Sequence, residues 1–179
     1  MATIASGATA VDLLKAPDDG RKHELVDGKI TVGPAGGRHG RIAVRLVVRL
    51  GTFVAQAQLG EVFDSSTGFT LKTANVRAPD VSFVAKHRFP GGIPEGFIPF
   101  APDLAVEILS PDDSLRQVMD KVGDYFESGV ALVWVVDPRR GTAAAYRSLT
   151  DVRRIAGDDS LDGEDVVPGF SCVLSDILG

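Results

Sequence analysis

The sequence predicts an α/β fold of the α+β kind, a central mixed β-sheet flanked by helices, and three observations carry that prediction. Asp103–Leu109 and Val130–Val136 are near-continuous apolar runs on either side of a helical stretch, 114–128. Strands covered on both faces read this way, and two of them joined by a helix make a parallel βαβ unit. Ile42, Leu46, Leu50 and Val54 recur every four residues and give the stretch 41–58 one apolar stripe for a sheet to bury. The β-like segments before position 85 are short and follow a hairpin-rich order, which predicts a sheet of mixed direction.

The elements follow in order. Residues 9–15 read as a short helix with Thr9 as N-cap and Pro17 beyond its end. His23–Val26, Asp27-Gly28 and Lys29–Val32 read as a hairpin, because Asp-Gly tolerates the positive φ angles of a two-residue turn. Short strands are expected at Glu61–Asp64, Gly68–Leu71 and Asp80–Val84, followed by an irregular Pro- and Gly-rich loop from Lys86 to Pro102. Asp112, Asp113 or Ser114 can cap the next helix, with Gly129 just past its end. Thr142–Ser148 and Val152–Ala156 suit a hairpin or sheet edge, and Val173–Leu178 one or two turns of helix.

With 179 residues, 44% of them apolar, one domain spanning 1–179 with a substantial core is expected. No apolar run is long enough for a bilayer span, and residues 1–10 lack the charge pattern of a signal peptide. The single cysteine, Cys172, has no partner for an intramolecular disulfide, so a cytoplasmic location is expected. The net charge of −5 argues against a general nucleic-acid coat protein. The charge is uneven, though. Arg21, Lys22, Lys29, Arg38, Arg41, Arg45 and Arg49 crowd the first third of the chain, and the tail is acidic.

Chemistry concentrates in three distant stretches. Asp80 follows Pro79 at the start of one strand, and Glu107 lies near the end of another. On neighbouring strands they would sit about 5 Å apart across the ladder. Hard oxygen donors at that spacing suit Mg²⁺ or Mn²⁺, and a metal-bound water with a nearby lysine is what phosphodiester hydrolysis requires. Gln117, Lys121 and Tyr125, at i, i+4 and i+8, share a helix face that can fold back over those acids. Glu24, in the first hairpin, is a candidate third acid.

Glu24-Leu-Val-Asp-Gly28, Arg77-Ala-Pro-Asp80-Val81, Pro102-Asp-Leu-Ala-Val-Glu107-Ile-Leu-Ser-Pro111, Asp120-Lys121 with Tyr125, Trp134-Val-Val-Asp137-Pro138 and Pro168-Gly169-Phe170 occur in this order. Together they resemble the Uma-two family of restriction-endonuclease-like proteins, within the PD-(D/E)xK nuclease superfamily. The resemblance implies a restriction-endonuclease-like core and a Mg²⁺- or Mn²⁺-dependent endonuclease acting on DNA, with a homodimer by analogy. It implies Asp80, Glu107 and the Ile108 carbonyl as metal ligands, and Glu24, Asp80, Glu107 and Lys121 as the catalytic set. The superfamily pattern places a lysine two residues after the second acid, where this chain has Leu109. The resemblance implies that Lys121, on the following helix, takes its place.

Plainer readings stand beside these. Pro79-Asp80 is also a turn signal. Glu107, inside Leu104-Ala-Val-Glu107-Ile-Leu109, needs a partner wherever it is buried, and a structural ion pair to Lys121 would supply one. Arg41, Arg45 and Arg49 read most simply as a solvated helix face; as a phosphate-tracking stripe, Arg41 and Arg45, with Tyr125, would contact substrate. His39 reads as a local helix cap or a substrate contact. The functional alternative is a catalytically inactive nucleic-acid-binding or assembly module that retains the nuclease fold. A structural protein that self-associates through its 89–100 loop is a third.

Overall fold

The computed structural model describes residues 7–16, 22–33, 36–111 and 113–179; Pro17, Arg21 and Asp112 lie outside them. Helix α1 (Ala10–Leu14) is closed by a reciprocal cap: the Asp12 amide donates to Thr9 Oγ1 and the Thr9 amide to the Asp12 carboxylate. Strands β1 (Lys22–Val26) and β2 (Lys29–Gly33) form the expected hairpin, with Asp27 and Gly28 at φ 48° and 70°. Helix α2 (Gly37–Ala57) is followed by β3 (Gly60–Asp64), β4 (Phe69–Thr70), β5 (Val76–Arg77) and β6 (Val81–Ala85). After the proline-rich excursion come β7 (Leu104–Ile108), α3 (Leu115–Glu127), β8 (Leu132–Asp137), β9 (Thr142–Tyr146) and β10 (Val152–Ala156). Strands β11 (Ser160–Asp162) and β12 (Ser171–Val173) lead into α4 (Leu174–Leu178).

Six strands form the central sheet in the order β10-β9-β8-β7-β6-β3. Only β7 and β8 run parallel, with α3 as their crossover. A second sheet, β2-β1-β5-β4, stands beside it, and β11 pairs with β12. On one face of the central sheet the α2 stripe packs on Val106, Leu132 and Trp134, joined by Leu161, Leu174 and Ile177 from the C-terminal elements. On the other face Val118, Val122 and Tyr125 of α3 meet Ala105, Val133 and Val135. Alternation along β7 therefore sends Leu104, Val106 and Ile108 toward α2, and Ala105 and Glu107 toward α3.

Helix α2 starts four residues before Arg41. Gly36, Gly37 and Gly40 are poor helix formers, which hides the first turn from a propensity reading. Tertiary bonds from His39 and Arg41 hold that turn instead. Asp80 lies just before β6, although its amide still donates to the Val106 carbonyl at 2.9 Å. The 86–102 excursion opens with a 3₁₀ turn, Lys86–Arg88. Ile98 exchanges backbone bonds with Gly68 and Thr70, while Arg88 stacks 4.2 Å above the Phe100 ring. Phe89, Ile98, Phe100 and Ala101 thus join the packed fold, while 90–96 stay exposed.

Ser114 caps α3 by accepting the Gln117 amide, and Gln117 Oε1 accepts the Ser114 amide in return. Ser114→Ala is expected to cost about 1 kcal/mol. The urea midpoint measures it; a midpoint equal to wild type would show that the α3 packing makes this cap redundant.

Candidate active site

The register that pairs Val81 with Val106 carries Asp80 alongside Glu107 at the end of β7. Asp80 is buried and accepts from three donors. Its Oδ2 accepts the Ile108 amide at 2.8 Å and His39 Nε2 at 2.9 Å, and its Oδ1 accepts Lys22 Nζ at 2.9 Å. Burial pushes its pKa up, but the His39 bond, the Lys22 and His39 charges and the Ile108 amide outweigh that and hold it well below the ordinary carboxylate range.

Glu107 takes the Tyr125 hydroxyl on Oε1 at 2.5 Å and Lys121 Nζ on Oε2 at 3.1 Å. Burial against α3 raises its pKa, and the Lys121 and Lys22 charges offset only part of that rise. Lys121 also reaches Glu24 of β1 at 3.4 Å. Desolvation alone would lower the Lys121 pKa; Glu107, Glu24 and Asp80 reverse the sign, so the ammonium is held charged. Glu24 accepts the Ala78 amide at 3.0 Å and lies 3.7 Å from the Arg77 guanidinium. Arg77, buried on β5, donates twice to Asp124 of α3, at 2.9 and 2.6 Å. That pair ties the helix carrying Lys121 to the second sheet.

These side chains line or underlie one open cleft of about 1150 Å³ between the β1–β2 hairpin, the start of α2 and the exposed face of α3. Its wall is acidic: among the described residues eight carboxylates, including Asp27, Asp113, Asp120 and Glu127, face the basic side chains of Lys22, Arg77, Lys121 and His39. A field of that sign concentrates cations and repels a phosphodiester.

Among the described residues no group of three or more His, Cys, Asp or Glu side chains is already arranged as a metal cage. The donors that do converge are hard oxygens, which fit Mg²⁺ or Mn²⁺ rather than a softer ion. Two of them, Asp80 Oδ1 and Glu107 Oε2, face ammonium groups.

The structure brings Glu24, Asp80, Glu107, Ile108 and Lys121 together, with Tyr125 fully buried beneath them. It does not bring Arg41 or Arg45 to the cleft. They donate instead to the carbonyls of Leu178 and Ile177, and Arg49 pairs with Asp176. Cations satisfy the free carbonyls at a helix C-terminus, and that is the use α4 makes of the stripe. Three residues of the network escape a sequence reading. Lys22 reads as one more surface cation, and His39 as a local cap or a substrate contact. Arg77 offers a clue, since an arginine between Val76 and Ala78 in a strand demands an acidic partner.

Comparisons with known proteins bear on this cleft. The family model Uma2, described as "Putative restriction endonuclease", matches residues 10–175. The chain belongs to the Uma2 family. The 1.96 Å crystal structure of "a putative nuclease belonging to DUF820" from Anabaena variabilis superposes with a TM-score of 0.83, covering 95% of this chain and 97% of that one. At 24% identity, that likeness concerns the fold. No curated protein matches. The Uma2 match and the shared fold give the chain a nuclease-like architecture. Within it, Leu109 packs into the apolar cluster under α3, and a helix-borne cation, Lys121, stands over Glu107. No described helix is long and apolar enough to cross a membrane.

Proposed function

We propose that this Uma2 protein is a divalent-metal-dependent nuclease that hydrolyses DNA phosphodiester bonds. The observation that carries the proposal is the acidic cleft with Asp80, Glu107 and Lys121 at its centre. A cleft of this charge can receive a phosphodiester only once cations have neutralised it. Asp80, Glu107 and the Ile108 carbonyl would hold Mg²⁺ or Mn²⁺, which supplies a Lewis acid for the phosphate and a water of lowered pKa.

The protein's own groups divide the remaining work. Lys121, kept charged by its acidic neighbours, serves as a cation toward the attacking water or the developing phosphorane rather than as a base. Glu24 holds that ammonium over the cleft, and the Tyr125 hydroxyl fixes the Glu107 carboxylate. The family match along residues 10–175 supports one domain acting as a unit.

The test is cleavage of plasmid and single-stranded DNA in Mg²⁺ and in Mn²⁺, against a Glu107→Gln control. Metal-dependent products from the wild type alone are expected. Absence of products above the control, across a broad substrate panel, would refute the reading.

A second reading is favoured by the completeness of the ion pairing, since Lys22, Lys121 and the three central acids are already partnered. It makes the chain a silent nucleic-acid-binding module. DNA binding that survives Glu107→Gln and falls steeply with salt, without cleavage, would favour that alternative.

A further inference from the structure

We infer that Lys22 is a resident counter-cation for Asp80, occupying the carboxylate oxygen that a divalent metal would take and leaving it when the metal binds. The inference rests on the metal-dependent reading above and names the group that controls metal entry.

Asp80 has three donors of different kinds. The Ile108 amide is backbone within the central sheet and cannot leave. His39 is fixed in the first turn of α2 and is mostly buried. Lys22 is the one long, rotatable side chain of the three; it lines the cleft, is about as exposed as Lys121 (21% against 22%), and is paired to Asp80 through Oδ1. Lys121, the other ammonium, is held by two carboxylates at once. A cation entering from solvent therefore displaces Lys22 more readily than Lys121.

The arrangement also has a folding rationale. Glu24, Asp80 and Glu107 crowd into one buried region, where three unopposed carboxylates would repel one another. Two lysines and Arg77 balance them before any metal arrives. Exchange of Lys22 for a metal keeps Asp80 ionised throughout and frees an ammonium at the cleft edge.

Isothermal titration of the full chain with Mn²⁺ alone tests this without reference to cleavage. Lys22→Gln removes the competing charge and is expected to tighten Mn²⁺ binding about tenfold. Lys29→Gln, the same charge change at an exposed position on the same hairpin, is expected to leave affinity near wild type. In an Asp80→Asn background Lys22→Gln should have a much smaller effect.

Equal affinities for Lys22→Gln, Lys29→Gln and wild type would overturn the inference while leaving the metal site standing. No Mn²⁺ binding by any of the proteins would overturn both. A measurement on the wild type covers the case in which Lys22→Gln folds poorly. Mg²⁺ titration followed by ammonium NMR is expected to move the Lys22 signal more than that of Lys121. The reverse pattern would overturn the assignment.

Discussion

Asp80→Asn is expected to lower Mn²⁺-dependent cleavage about 10²–10³-fold while the protein stays folded. The substitution keeps the shape of the side chain. The remaining oxygen can still accept the Ile108 amide and His39 Nε2, the two bonds that hold it between the central sheet and α2. Only the oxygen facing Lys22 becomes an amide nitrogen, and a donor now faces a donor. The loss is thus one negative charge and one hard ligand. Single-turnover cleavage and thermal melting, measured together, separate the two effects. A variant that cleaves at the wild-type rate would remove Asp80 from the reaction. One that melts far below the wild type would show that the carboxylate serves the fold first.

What can be read from the sequence here divides by distance along the chain. The βαβ unit is legible because its strands, β7 and β8, are buried on both faces and its helix carries both a cap and an apolar stripe. The first hairpin is legible because Asp27-Gly28 suits the turn that the chain adopts. That Glu107 needs a partner follows from its apolar surroundings alone, and Lys121 is the cation of its helix face able to fold back over it. Strands β5, β11 and β12, two or three residues long, are too short for any periodicity to register.

The parts of the cleft that a sequence reading misses depend on how separate elements pack. Lys22 and His39 reach Asp80 across 58 and 41 residues, and Glu24 reaches Lys121 across 97. No local pattern encodes where the second sheet stands beside the first or where α2 crosses the central sheet, and these contacts exist only because of those placements. Arg41 and Arg45 make the same point in reverse. Their spacing is regular and their charge is right for phosphate, yet α4, a five-residue helix at the far end of the chain, takes both of them.

Arg77→Ala is expected to destabilise the protein by about 3 kcal/mol. Arg77 is 6% exposed and bonds Asp124 through two nitrogens, while its third nitrogen faces Glu24. Deleting it leaves both acids without that cation. Asn75 still donates to Asp124 at 3.0 Å, and Lys121 still faces Glu24 at 3.4 Å, so neither carboxylate is wholly bare. Partial exposure of Asp124 softens the cost further and places it at the low end for a buried pair. The damage should not stay local. Asp124 lies on α3 one turn beyond Lys121, so freeing it loosens the face of the helix that stands over Glu107. Urea denaturation of Arg77→Ala, Asp124→Asn and the double variant gives the coupling directly. The double variant should lose much less than the sum of the two singles, because an uncharged amide at position 124 no longer needs the guanidinium. Strict additivity would mean that Arg77 stabilises the fold through Glu24 alone, and that α3 is held against the second sheet by its apolar face.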